Sequence, residues 1–328
     1  MNRTIDRRSL LALGVGAAVT FAAAPARAEQ ISVTHWGALM YGVPYAVAMD
    51  RGFFRQAGLN VDGILTSQGG GTTVRNVLAG GLPYGEVSLA AAIAAIREGI
   101  DIAIVNAGAR SVADALWVVM PNSDIRTIRD LVGRKMAITS PRSVTDQLSI
   151  MVLEASGIPL NQVERPALGG VGAGLAALES GAVQAAPIFD PIWSARAGRY
   201  RALFSVKDIL PPMTQTVGIV TREFARTRPD AVRAIVAGRR QGVDFIHANP
   251  AEAGRILARS YDNLRADVAE RAVRNMIEID YWSRGNFEIA AMNEMVRGLR
   301  IIGEVQGEID WSRIIDRSFL PADLQGQS

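Results

Sequence analysis

The chain has 328 residues, of which 49% are hydrophobic, and its formal net charge is +3. The first 28 residues alone carry four arginines and one aspartate, so the rest of the chain is formally neutral and has no basic cluster for nucleic acid. The absence of cysteine excludes disulfides, thiol nucleophiles and thiolate metal sites, and two distant histidines do not form a ligand-spaced pair.

Residues 1–28 have the pattern of an export signal. The segment Arg7-Arg8-Ser9-Leu10-Leu11 opens an apolar run to Ala24, and Ala26-Arg27-Ala28 has the small-x-small form of a cleavage site. We therefore predict a signal peptide that is cleaved before Glu29, and a protein that is free in the periplasm. The paired arginines also fit a twin-arginine signal; an ordinary secretory signal and a retained membrane anchor are the alternatives.

The first part of the mature chain alternates between strands and helices. Apolar or β-branched segments at 31–34, 61–65, 84–89 and 101–106 predict strands. Residues 44–54 and 90–97 predict helices between them, and a short segment after the glycine turn has Val74, Val77 and Leu78 at helical spacing. This alternation predicts right-handed βαβ units and a mostly parallel sheet.

The pattern resets near residue 119 and changes again after residue 215. We predict a helix at 128–133, a strand at 135–139 and a helix at 143–156, which Ser143 caps and Gly157 ends. From Pro229 onward the pattern predicts helices at 230–248, 251–259, 265–279 and 287–304, with arginines on solvated faces.

An internal echo links the two halves of the chain. The segment SQGGGTTVRNVLAGGLPYGEVSLAA is similar to ALGGVGAGLAALESGAVQAAPIFDP about one hundred residues later, with Gly69-Gly70 matching Gly169-Gly170. Both segments fit a glycine turn, a short helix and an apolar strand. The echo indicates two similar α/β lobes, although glycine matches between α/β units also arise by chance.

Segments from both halves resemble the periplasmic substrate-binding proteins of the nitrate/sulfonate/taurine type. They are PYAVAMDRGFFRQAGLNVD, GIDIAIVNAG, IRDLVGRKMAITSPRSVTDQLSIMVLEASGI and LAALESGAVQAAPIFDPIWSARAG, and together the resemblance covers nearly all of the mature chain. It implies a type II-like α/β fold with two parallel-sheet lobes, a hinge and a helical C-terminal part. Residues 29–118 would begin lobe 1, residues 119–215 would form lobe 2, and residues 216–328 would return to lobe 1 and add the C-terminal helices.

The glycine turn is the first candidate binding element. Ligands of open α/β sheets lie outside the carboxyl ends of the strands, where residues 69–73 follow the second predicted strand. The N–H groups of Gly70 and Gly71 and the hydroxyls of Thr72 and Thr73 could hold an anion or a carbonyl. The alternative is a flexible tight turn.

The turn before the predicted helix 143–156 is the second candidate. It offers the hydroxyls of Ser140, Ser143 and Thr145 at a helix start, and Arg142 could clamp a carboxylate, sulfonate or phosphate. The alternative is that Ser143 only caps the helix and that Arg142 is solvated.

Other candidates lie at predicted strand ends. Trp36 could cover a flat ligand or pack in the core, and Ser88 ends a strand at the same edge. Asp190 could accept hydrogen bonds from a ligand or cap the next helix. Tyr41, five residues after Trp36, is a further candidate. His35 fits better as an ordinary strand residue than as a ligand contact.

These observations predict a monomeric binding protein, without enzymatic activity, cofactor or bound metal, for a small organic anion such as a sulfonate, a carboxylate or a nitrate-like ion. The resemblance implies an ABC permease and ATPase of the inner membrane as partners, which lobe closure would engage. A thiamine-pyrimidine-precursor binding protein or biosynthetic relative, and a ligand-sensing partner of a membrane receptor, are the alternatives. The biosynthetic enzymes depend on a cysteine-rich segment, which this chain lacks.

Overall fold

The structure is a computed structural model that describes residues 29–80 and 82–326. The predicted signal peptide and its export route lie outside the described residues. Within the described ranges, no helix combines the length and the apolar character that crossing a membrane requires.

The strands of the described chain form two sheets. The first sheet has five strands in the order β2-β1-β3-β8-β4, and the second has three in the order β6-β5-β7. The strands are β1 (Glu29–Thr34), β2 (Val61–Ser67), β3 (Tyr84–Ser88), β4 (Ile102–Ala107), β5 (Leu116–Val119), β6 (Ala186–Ile188), β7 (Arg201–Ser205) and β8 (Thr216–Thr221).

The expectation of mostly parallel sheets is only partly correct. Strand β1 is parallel to β2 and β3, but β8 is antiparallel to both of its neighbours, β3 and β4. Strand β8 returns to the first sheet from the second one, so no helical crossover fixes its direction. The second sheet is antiparallel, and the predicted strand 135–139 forms only isolated parallel bridges to Glu164, Ala167 and Ala185.

Helices cover the sheets and dominate the C-terminal part, as predicted. Two predicted helices differ. The predicted helix 44–54 divides because Gly52 adopts a left-handed φ of 74°. The predicted helix 128–133 is only a short 3-10 helix, Ile128–Leu131. The helices are α1 (Val43–Asp50), α2 (Phe53–Gln56), α3 (Gly70–Ala79), α4 (Leu89–Arg97), α5 (Val144–Ala155), α6 (Val171–Glu179), α7 (Ile192–Ala195), α8 (Arg222–Thr227), α9 (Pro229–Ala248), α10 (Pro250–Ser260), α11 (Ala266–Glu278), α12 (Ile289–Ile301) and α13 (Ala322–Gln325).

The internal echo has a structural counterpart. Helix α3 begins after Gly69 at φ 174° and ψ 164°, and α6 begins after Gly170 at φ −174° and ψ 166°. Both helices lead to a strand, β3 and β6. The counterpart of Gly69 is therefore Gly170 rather than the Gly169 that the sequence alignment indicated.

One C-terminal arginine departs from the predicted solvated faces. Arg239 of α9 is 1% exposed and reaches β3, where its Nε lies 3.3 Å from Oε2 of Glu86. The same carboxylate oxygen accepts a hydrogen bond of 2.6 Å from the Tyr45 hydroxyl. A buried ion pair thus fixes α9 on the first sheet.

Two segments, residues 108–115 and 206–215, connect the sheets. They are hydrogen-bonded to each other, since Gln215 Nε2 donates to Asp114 Oδ1 at 2.7 Å. The Tyr41 hydroxyl donates to Gln215 Oε1 at 2.8 Å. Burial raises the pKa of Asp114 to about 7. Helix α12 packs against both α4 and α5, so it also spans the two parts.

Candidate functional site

Two of the three consecutive glycines are required by close packing. A Cβ at Gly69 would lie 2.7 Å from Oγ of Ser140, and a Cβ at Gly70 would overlap the Cβ of Ala91 on α4. A Cβ at Gly71 would meet only the Arg75 guanidinium, at 3.6 Å. The glycine turn therefore touches the turn at 140–145.

The second turn carries a cluster of hydroxyl groups at the start of α5. Ser143 Oγ caps the helix by accepting from the Asp146 N–H at 3.2 Å, as predicted. Thr145 Oγ1 lies 2.9 Å from both Thr139 Oγ1 and Ser143 Oγ. Three hydroxyl protons serve two contacts within the cluster, so at least one proton is left for another acceptor.

A narrow cavity lies between the two turns, and the empty space within its lining, part of it open to solvent, is about 330 Å³. Four of the selected residues line it (Gly70, Ser88, Ser143 and Thr145), together with Tyr41 and His35. Within the described part of the chain, the lining contains no arginine, lysine or carboxylate. The full lining is Thr34, His35, Leu39, Tyr41, Gly70, Ser88, Thr139, Ser143, Val144, Thr145, Phe189 and Thr216.

Main-chain donors face this cavity from helix starts. Helices α3, α4 and α5 all begin at its wall, with Gly70, Ser88 and Val144 in the lining. Among the described residues, the N–H groups of Gly70, Val144 and Thr145 have no acceptor. Because helix N-termini carry partial positive charge, the cavity favours a negatively charged group without a cationic side chain.

Several lining hydroxyls already donate their protons within the protein. Ser88 Oγ donates to the carbonyl of Arg142 at 2.9 Å, and Thr34 Oγ1 donates to the carbonyl of Glu86 at 3.1 Å. Thr216 Oγ1 donates to Glu86 Oε1 at 2.6 Å. The cavity's free donors therefore come chiefly from the main chain and from the α5 cluster.

His35 has a different status from these hydroxyls. It has a left-handed φ of 55° after β1, is 8% exposed, and its Nε2 has no hydrogen-bond partner among the described residues. Burial lowers the pKa of its imidazole to about 4, so the ring is neutral at pH 7.

Arg142 does not line the cavity. Its Nη1 lies 2.7 Å from Oε1 of Glu98, and its Nε lies 2.9 Å from Oε2 of Glu304. Two carboxylates thus hold the guanidinium at a neighbouring surface groove. A direct clamp on a ligand in the cavity would require the side chain to leave both of them.

The threonines of the glycine turn also lie outside the cavity lining. Thr73 Oγ1 is buried beneath the turn, 2.6 Å from Thr34 Oγ1 and 2.5 Å from Ser67 Oγ. Thr72 Oγ1 accepts from Arg75 Nη2 at 2.9 Å. In this arrangement Thr73 holds the turn against the ends of β1 and β2.

Trp36, Asp190 and Ser140 lie beside the cavity and are not in its lining. Trp36 packs edge-on against Tyr261, with ring centroids 4.8 Å apart. Asp190 accepts from the Ser194 N–H at 3.0 Å and from Asn275 at 2.8 Å, which is the capping alternative. Ser140 Oγ faces Gly69 and has no partner among the described residues.

Six lining residues were not selected from the sequence: Thr34, Leu39, Thr139, Val144, Phe189 and Thr216. Thr139 and Phe189 immediately precede selected residues, so the strand-end rule could have found them. Thr216 begins β8, and the first residue of a strand lies at the same sheet edge as the last residues of its antiparallel neighbours, here β3 and β4. Only the direction of β8 reveals it.

Solved structures with the same fold include both binding proteins and an enzyme. The periplasmic aliphatic sulphonate-binding protein SsuA from Escherichia coli has a TM-score of 0.70 and 18% identity, over 89% of this chain and 98% of SsuA. The periplasmic nitrate-binding protein NrtA from Synechocystis PCC 6803 has a TM-score of 0.62 and 14% identity, over 74% of this chain and 69% of NrtA. The desulfurization enzyme DSZB has a TM-score of 0.61 and 13% identity, over 89% of this chain and 97% of DSZB.

The comparisons confirm the α/β periplasmic binding protein fold that the sequence resemblance implied. No curated protein matches the sequence. The profile of the NMT1/THI5-like family matches residues 40–253, which is more than half of the chain. The chain therefore belongs to the NMT1/THI5-like family.

Proposed function

We propose that this chain is the periplasmic solute-binding component of an ABC importer and that its ligand is a small organic anion. The observation that carries the proposal is a cavity at helix starts whose free donors include the N–H groups of Gly70 on α3 and of Val144 and Thr145 on α5. A sulfonate, a carboxylate or a nitrate-like group supplies several acceptor oxygens for such donors.

The apolar part of the lining favours an organic ligand over a bare inorganic ion. Leu39, Val144 and Phe189 contribute apolar surface to the lining. The empty space within the lining is only about 330 Å³ and includes space open to solvent, so the cavity suits a small ligand and would have to widen for a large one.

Transport would follow from closure of the two predicted lobes. In this structure the contacts between Gly69 and Ser140 and between Ser88 and Arg142 join the two sides of the cleft, and opening the cleft would break them. A ligand that contacts both turns stabilises that closed state and shifts the population toward it. The closed monomer would then dock on an inner-membrane permease and its ATPase, without a cofactor or a chemical step.

The test compares an anion with its neutral isostere. We expect isothermal titration calorimetry of residues 29–328 to show at least tenfold tighter binding of ethanesulfonate than of ethanesulfonamide. Benzoate and nitrate in the same series define the preferred acid. Equal affinity for the sulfonate and the sulfonamide would refute the anion proposal.

A proline variant tests the main-chain donors directly. Val144 is the first residue of α5, where proline is tolerated, and Ser143 has the extended conformation that a following proline requires. Val144→Pro removes one N–H, and we expect a loss of about 1.5–3 kcal/mol in anion binding. Ala266→Pro, at the exposed first residue of α11, is the matched control. Unchanged affinity of Val144→Pro for the anion would exclude the start of α5 from the binding site.

A further inference from the structure

The side chain of His35 is held at the cavity wall by its own backbone turn. Its N–H donates to the Ser67 carbonyl at 2.8 Å, and its carbonyl accepts from the N–H groups of Ala38 and Leu39 at 3.0 Å each. These bonds keep His35 in the left-handed conformation that directs it to the cavity lining.

The Nε2 atom of His35 is buried and has no partner within the described protein. A polar group can be hydrated while a cleft is open, but it loses that hydration when the cleft closes. Closing the cleft over His35 therefore costs free energy unless a group in the cavity bonds Nε2. An acceptor oxygen of a ligand removes this cost, since neutral imidazole donates from one of its two nitrogens.

We propose that His35 is a ligand-binding residue whose Nε2 atom couples ligand binding to cleft closure. Its unmet hydrogen bond opposes closure of the cleft by itself, and a ligand oxygen at Nε2 favours closure. This inference rests on the proposed function, because it requires a binding protein that closes on a small ligand. The contact is a hydrogen bond from a neutral ring, which burial keeps unprotonated at pH 7.

His247 provides an internal control. It is the other histidine of the chain and also has a buried Nε2 without a partner among the described residues, but it lies on α9 and does not line the cavity. With two histidines, imidazole NMR signals can be assigned by a single substitution. In ¹⁵N-histidine protein without a polyhistidine tag, we expect ethanesulfonate to shift the His35 Nε2 signal and to raise the pKa of its ring, while His247 stays unchanged. An unmoved His35 signal at saturating ethanesulfonate would overturn the contact.

Closure of the ligand-free protein can be measured with dyes attached to two introduced cysteines. The chain has no cysteine of its own that would also react with the dyes. Leu78→Cys on α3 and Val132→Cys, after β5, introduce two dye sites at exposed positions. In single-molecule FRET we expect His35→Phe to populate the closed state at least fivefold more than the unsubstituted pair. His247→Phe should have no effect. Identical distributions for His35→Phe and the unsubstituted pair would refute the proposed coupling.

The ligand arm separates this inference from the proposed function. We expect His35→Phe to bind ethanesulfonate about tenfold more weakly, and His35→Asn, which suits a left-handed φ, to recover part of that loss. Unchanged affinity in His35→Phe would overturn the contact. If ethanesulfonate binds none of the proteins, the proposed ligand class fails, and the ligand-free FRET distributions still decide whether His35 opposes closure.

Discussion

The three consecutive glycines of the 69–71 turn should respond to alanine in three different ways. At Gly70 the new methyl group would overlap Ala91 where α3 meets α4, and overpacking of this kind costs about 1–3 kcal/mol. At Gly71 the methyl group has space on an exposed first helical turn. There alanine should stabilise by about 0.4–1 kcal/mol, because it restricts the unfolded chain.

Gly69→Ala should affect ligand binding more than stability. Its methyl group would lie 2.7 Å from Ser140 Oγ, on the opposing turn, so it opposes closure rather than folding. Ser140→Gly removes that oxygen and should restore affinity in the double variant, which a double-mutant cycle measures.

Chemical denaturation and ethanesulfonate titration of the three alanine variants test this reasoning. We expect the free energy of unfolding to be highest for Gly71→Ala, lower for wild type and lowest for Gly70→Ala. Gly69→Ala should bind ethanesulfonate more weakly than wild type. A Gly70→Ala variant as stable as wild type would show that α3 and α4 do not approach this closely. Failure of Ser140→Gly to rescue Gly69→Ala would refute the contact between the two turns.

Three further predictions concern charged residues. Arg142→Gln breaks exposed ion pairs such as that with Glu98, so calorimetry should show less than a tenfold loss of ethanesulfonate affinity, and a larger loss would indicate a direct clamp. Glu86→Gln strands buried Arg239 and should lower the free energy of unfolding by about 3–5 kcal/mol in chemical denaturation. The pKa of Asp114 is higher in the folded state (about 7) than in the unfolded state (3.8). As pH rises from 4 to 7, the free energy of unfolding of wild type should therefore fall by up to about 4 kcal/mol relative to that of Asp114→Asn. A difference between the two proteins that does not change with pH would contradict this.

The sequence predicted the order of secondary structure well because the signals for it are local. Ser143 as a helix cap, Gly157 as a helix stop and the alternating strands of the first sheet can all be identified from short segments. The antiparallel insertion of β8 could not be identified, since it depends on which strands meet after the chain returns from the second sheet. Thr216 was missed for the same reason.

The same distinction separates the main-chain part of the candidate site from its side-chain part. Glycines and caps that set the starts of α3 and α5 are adjacent in sequence, so the position of their N–H donors was predictable. The direction of Arg142 depends on Glu98 and Glu304, which are 44 and 162 residues away. Arg142 was preferred over His35 because a cation suits an anion, whereas the unpaired Nε2 of His35 appears only when its surroundings are known. If main-chain N–H groups bind the anion, a neutral histidine complements them better than a cationic side chain. The histidine opposes closure when the ligand is absent, and its hydrogen bond does not hold the ligand too strongly for release.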